Sequence, residues 1–171
     1  MGSRLLVALL GPAIVVVGCG DPERQPCVER DGASPELPRV SLSVRSGEIS
    51  AEVADSEQER QTAWAERRCD LDALLWVPDE VGPVSVSLCE VVVAVDLAFL
   101  RDGRVVTMER DRAPCRTSCE DCPAYSGDPG SEFDAVLWLL AGEIEIEVGD
   151  EVVGLEAVDL PTAGSSTSAD R

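Results

Sequence analysis

The chain has 171 residues, 14 of them basic and 33 acidic, for a formal net charge of −19. Histidine, lysine and asparagine are all absent, so every basic residue is an arginine. These absences exclude a serine–histidine or cysteine–histidine nucleophile, a Schiff-base amine and a phosphate-loop lysine, and the charge repels phosphate backbones, so no nucleic-acid partner is expected.

Arg4 precedes an apolar run from Leu5 to Val17, shorter than the roughly twenty apolar residues of a spanning helix. Gly11 and Pro12 weaken a membrane helix further, and Leu6 stands where a myristoylation signal wants Ser or Thr. A short positive start and an apolar segment of this size fit an export signal. Val16-Val17-Gly18-Cys19 then sets a small residue directly before a cysteine, which resembles the lipobox of bacterial lipoproteins. The resemblance implies that residues 1–18 are a removed signal peptide and that the Cys19 thiol carries a diacylglycerol at the mature N-terminus. The expected address is the bacterial cell envelope, anchored to a membrane by lipid on Cys19 and facing the periplasm or the cell exterior. A non-lipidated signal cut nearby is the alternative. Loss of Arg4 leaves thirteen arginines against 33 acids, a net charge of −20.

Residues 19–38 are rich in proline and charge, without apolar periodicity, and read as a flexible tether. Val40–Val44 and Ile49–Val53 each alternate with period two about Arg45-Ser46-Gly47-Glu48, which predicts a β-hairpin. Asp55 followed by Gln58 resembles a capping box and predicts a helix to about Arg67. Leu74–Val77 reads as a short buried strand ended by Pro78. Val84–Leu88 alternates, and Glu90–Leu100 is a long apolar run rich in β-branched residues. Asp102-Gly103 reads as a turn before a strand over Arg104–Met108. A loop with three cysteines follows, then an apolar strand over Ala135–Leu140. Glu143–Val148 alternates strictly and is expected to be a strand with isoleucines inward and glutamates outward. Residues 161–171 are small and polar, and read as a disordered tail.

Seven cysteines are present. Setting Cys19 aside leaves Cys27, Cys69, Cys89, Cys115, Cys119 and Cys122, an even set that an oxidising compartment would join as disulfides. Cys115, Cys119 and Cys122 admit three readings. They are a structural disulfide site, a zinc site completed by Cys89 or Cys69, or a redox pair at Cys119 and Cys122. Glu120 and Asp121 oppose the last, because neighbouring negative charge raises a thiol pKa.

The order of elements resembles the small bacterial and archaeal family called domain of unknown function 192, over about Ile49 to Leu155. Its carriers here are Val53-Ala54-Asp55-Ser56, Gly82-Pro83-Val84-Ser85, Val95–Leu100, Asp102–Val106, the Pro114-Cys115 and Cys122-Pro123-Ala124-Tyr125 loop, and Val148–Val152. The elements make the domain over residues 39–160 mainly β (α+β) with one clear helix, and the resemblance implies a small compact β-barrel-like form. It also implies that Cys115 pairs with Cys122, and it brings no established activity. Where the family typically has Phe-Trp-Met-Lys-Asn-Thr, this chain has Val86-Ser87-Leu88-Cys89-Glu90-Val91. The family's segment after the helix start also changes, near Cys69. A disulfide between Cys69 and Cys89 would lock the altered region.

Asp96, inside an apolar run, is a weak pocket candidate whose ordinary reading is a hydrogen-bonded structural acid. Asp128, Glu132 and Asp134 lack the spacing of a calcium loop. Trp64, Trp76 and Trp138 read as core, since a carbohydrate platform needs two of them exposed on one face. No catalytic residue, metal or cofactor is expected. The reading is a non-enzymatic binding or assembly module for an envelope protein or small ligand. Its alternative is a carboxylate enzyme or a thiol-redox accessory protein.

Overall fold

Arg39–Val44 alternates exposed and buried side chains, as its sequence pattern demands, and forms strand β1. It pairs antiparallel with β2 (Gly47–Ala54) through a two-residue connection, with Val44 opposite Gly47. The computed structural model describes residues 37–67 and 71–162. Beyond the hairpin come α1 (Glu57–Thr62), β3 (Ala73–Trp76), β4 (Val86–Ser87), β5 (Val95–Arg101), β6 (Arg104–Arg112), β7 (Ala124–Tyr125) and β8 (Ala135–Leu140). Among the described residues no helix is long and apolar enough to cross a membrane.

The main sheet has the order β1-β2-β3-β8-β5-β6, and β4 pairs with β7 separately. Only β2 and β3 run parallel within the main sheet, and α1 lies in the crossover between them. β5 and β8 sit side by side in the interior of the sheet and are buried on both faces. That is why their sequences are nearly continuous apolar runs rather than alternations. Leu42, Leu75, Ala98, Leu100, Leu137, Ile146 and Leu155 pack on one face. Trp64, Leu74, Leu88, Leu97, Phe99, Phe133 and Trp138 pack on the other. Glu52, only 7% exposed, is compensated there by Arg67 at 2.6 Å and Arg39 at 2.9 Å.

Several elements differ from their sequence expectation. The helix ends at Thr62, well short of Arg67, and its cap is Ser56 rather than Asp55. Ser56 Oγ accepts from the Glu59 N–H, while the Glu59 carboxylate accepts from the Ser56 N–H at 3.0 Å. Ala63 and Trp64 then turn straight into the core, each 2% exposed, which outweighs continuation of a mostly polar helix. Val84, Val86 and Leu88 point inward as their alternation predicts, but only Val86–Ser87 belongs to a strand. In the Glu90–Leu100 run the strand starts at Val95; Glu90 has a left-handed backbone, φ 60°. β6 continues beyond Met108 to Arg112.

The sharpest correction is Glu143–Val148, which forms no strand. Ile146 is buried and Ile144 packs against the same cluster, so the facing of side chains follows the alternation without a ladder. Gly142 (φ 76°) and Gly149 (φ 94°) bend the backbone at either end, and the Ile146 carbonyl accepts from the Arg110 guanidinium instead of a strand partner. The following segment, Gly149–Val153, hydrogen-bonds to both outer strands. Val105 and Asp150 are joined at 2.9 Å, and Ser43 and Val153 exchange both main-chain bonds at 2.9 and 3.0 Å.

Candidate functional site

A groove of about 470 Å³ opens between α1 and the Ser85–Val91 segment. Its floor is the aromatic side of the sheet, with Leu74, Trp76 and Trp138 beside Trp64. One wall carries Glu57, Arg60 and Gln61, and the other carries Ser85, Ser87, Cys89 and Glu90. The alternation of the second wall explains its double role: Val84, Val86 and Leu88 anchor it in the core, which leaves Ser85 and Ser87 outward.

Arg60 fixes α1 to the sheet. Its guanidinium donates to the Asp55 carbonyl at 2.6 Å and the Val77 carbonyl at 2.8 Å, pairs with Asp79 at 2.8 Å, and lies 5.4 Å from the centre of the Trp76 ring. Trp64 and Trp138 meet edge to face, with ring centroids 6.2 Å apart. Both indole N–H groups are buried without a hydrogen-bond partner. At the far end Glu66 and Glu90 both adopt left-handed backbones, φ 54° and 60°, and the Glu66 N–H donates to the Glu90 carbonyl at 2.6 Å. Two such residues in contact are a local strain that the surrounding packing must hold.

The cysteine loop is tied to this wall. Cys89 is bonded to Cys119 and Cys115 to Cys122, with Cα separations of 5.1 and 5.6 Å. The suggested Cys69–Cys89 bridge is therefore corrected: the loop folds back over the groove wall and supplies Cys119 as the partner of Cys89. Cys69, like Cys19 and Cys27, lies outside the described residues. Cys119 and Cys122 are not bonded to each other, so the redox reading of that pair has no structural counterpart. The zinc reading meets the same fact, since all four sulfurs are in disulfides and none is a thiolate. Cys89, Glu90 and Cys119 are the one group of potential ligand residues with donor atoms within 4.8 Å of one another among the described residues. Two of its three donors are those bonded sulfurs.

Asp96 is 4% exposed and sits in a second, wider depression with Arg110, Gly142 and Glu143. Both of its oxygens are engaged. Oδ1 accepts from the Asp111 N–H at 2.6 Å and Oδ2 from the Gly142 N–H at 3.2 Å, with Arg110 3.9 Å away. Asp111 is left-handed (φ 51°) and lies beside a register shift in the β5–β6 ladder. The carboxylate thus satisfies main-chain donors that the ladder leaves free at a bulge and a turn. Asp134 does similar work, accepting from the Asp102 N–H at 2.7 Å across the Asp102-Gly103 turn. Burial pushes the Asp134 carboxyl above the usual aspartate range, against the lowering effect of that hydrogen bond. Asp128 accepts from Thr107 Oγ1 at 2.9 Å.

Of the tryptophans, Trp64 and Trp138 are floor residues 2% and 3% exposed, and only Trp76 is half-buried. They therefore form no open stacking platform. Sequence reasoning missed Glu57, Arg60 and Glu90 as groove walls. Only Glu90 carried a usable signal, as an acid at the head of the apolar run to Leu100.

A family described as uncharacterized ACR, DUF192, matches residues 40–154. No curated protein is significantly similar to the chain. Two solved structures share the fold. One is a protein of Sinorhizobium meliloti provisionally assigned as a transcription regulator, 21% identical, with a TM-score of 0.57 over 71% of this chain and 98% of that one. The other is a protein of unknown function from Novosphingobium aromaticivorans, also 21% identical, with a TM-score of 0.55 over 68% of this chain and 85% of that one.

Proposed function

The chain belongs to the uncharacterized DUF192 family, and from that premise we propose a lipid-anchored lipoprotein of the bacterial cell envelope whose domain is a non-enzymatic binding or assembly module. The groove between α1 and Ser85–Val91 carries the binding reading: it is concave, mostly apolar at its floor and rimmed by polar side chains, as ligand sites are. The candidate acid and thiols have other work. Asp96 holds two main-chain N–H groups, and Cys89, Cys115, Cys119 and Cys122 are cross-linked.

The anchoring reading rests on the apolar run and on Cys19. Two acyl chains on that residue would hold the domain at a surface its own charge avoids. The disulfides suit the oxidising side of such a membrane. We also read the sheet as barrel-like, because Gly149–Val153 hydrogen-bonds to β1 and to the start of β6. Metabolic labelling with palmitate, followed by mass spectrometry of the mature N-terminus, tests the anchor. The label should enter the wild-type chain, and Cys19→Ala should abolish it and release the protein from the membrane fraction. A mature N-terminus elsewhere, or label retained in the variant, rejects the reading.

A further inference from the structure

We propose that the groove between α1 and Ser85–Val91 binds a basic peptide segment, with an arginine or lysine side chain seated between Glu57 and Glu90. The inference rests on the binding-module reading above and names the ligand class for that same groove.

The charge inventory of the groove decides the sign of the ligand. Among the described residues Arg60 is the one cation lining it, and its guanidinium is already engaged by Asp79 and by the carbonyls of Asp55 and Val77. Glu57 and Glu90 are exposed on opposite walls. Glu57 accepts a side-chain hydrogen bond from Gln61 at 3.3 Å, and neither glutamate joins an ion pair among the described residues. An anion entering the groove would thus meet two uncompensated carboxylates and, among the described residues, no available cation. A cation would meet the reverse, drawn in by a molecule of net charge −19.

The floor decides the shape. Arginine and lysine carry an apolar stem behind a charged head, and such stems pack along apolar surface while the head stays with its counter-charge. Half-buried Trp76 provides most of that surface, with the nearly buried edges of Leu74, Val86, Val91 and Trp138 beneath it. Ser85 and Ser87 offer hydroxyls to the main chain of an extended peptide. The Glu90 backbone is held in place: its carbonyl takes the 2.6 Å bond from Glu66, and the neighbouring Cys89 is cross-linked to Cys119. A main chain fixed before the ligand arrives leaves only the side chain to be ordered on binding.

All three tryptophans of the chain line this groove, so intrinsic tryptophan fluorescence reports its occupancy. The full-length, oxidised chain would be titrated with an end-blocked peptide alternating arginine and glycine, and with matched peptides carrying serine or glutamate in place of arginine. We expect a saturable fluorescence change with the arginine peptide only, weakened about tenfold in Glu57→Gln/Glu90→Gln. Glu132→Gln/Glu145→Gln, which removes equal charge outside the groove, should weaken it less than about twofold by general screening. The single variants Glu57→Gln and Glu90→Gln, each expected to weaken binding by about threefold, serve if the double variant fails to fold. Equal response to the serine or glutamate peptide overturns the cationic ligand class while leaving a binding groove in place. Equal weakening by both double variants reduces the effect to non-specific attraction and overturns it too. No fluorescence change with any peptide rejects both the ligand class and the groove as the binding surface.

Discussion

Asp96 and Asp134 show how differently one residue type can be accommodated at the edge of one core. Asp96 is buried but receives two main-chain N–H bonds and faces Arg110, so its charge is met from three sides. Asp134 receives one such bond on Oδ2, while its Oδ1 is buried with no partner. Desolvation dominates there and raises its pKa. A carboxyl raised on folding contributes stability fully below its unfolded pKa, near 4, and loses it as pH rises through the folded value. Asp134→Asn keeps an oxygen for the Asp102 N–H and removes the charge. The variant should melt higher than wild type at pH 7, and the gap should close as pH falls below about 4; a gap that widens on acidification contradicts the assignment. Sequence alone flagged Asp96 as a buried acid and weighed Asp134 only as a calcium ligand, because an acid next to a strand looks exposed until the Asp102-Gly103 turn is folded against it.

At the scale of elements, local signals held where local chemistry decides the outcome. The β1–β2 hairpin, the Asp102-Gly103 turn and the Ala135–Leu140 strand follow from alternation, turn residues and a continuous apolar run. Ends and partners were less legible. Glu143–Val148 has the strictest alternation in the chain, yet it lacks a ladder, because alternation specifies only which side chains face inward. The segment just after it depends on Gly154, whose backbone is left-handed (φ 105°) and would place a Cβ 2.4 Å from the Ser41 carbonyl oxygen. Gly154→Ala should therefore push Gly149–Val153 away from β1 and cost at least about 2 kcal/mol in chemical denaturation. Gly82→Ala, which meets nothing within 4 Å, is the control and should stay within about 0.5 kcal/mol. A near-neutral Gly154→Ala would show that this contact does not hold the sheet's outer strands.

For the molecule as a whole, the two disulfides among the described residues differ in the span they close. Cys89–Cys119 encloses a separation of 30 residues and Cys115–Cys122 one of 7. On loop-closure entropy the longer bridge stabilises by about 3.5 kcal/mol and the shorter by about 2.5 kcal/mol. Cys89→Ser/Cys119→Ser should therefore lose more stability to urea than Cys115→Ser/Cys122→Ser, by about 1 kcal/mol. The longer bridge also joins the loop to the groove wall, so its loss should raise hydrogen exchange around Glu66 and Glu90, whereas loss of the shorter one should not. Equal losses and equal exchange would mean that the loop is held by packing instead.

The sequence by itself determined the class of the fold, the facing of most side chains and the chemistry that is out of reach. These depend on composition, on period-two patterning and on the absence of histidine and lysine, all of which are local or global counts along the chain. Tertiary structure alone decided which cysteine meets Cys89, whether Asp96 is free to act, and that Glu57 and Glu90 face one groove across a tryptophan floor. Those facts join positions far apart in sequence, and what brings them together is burial on the two faces of one sheet. No periodicity along the chain encodes that pairing.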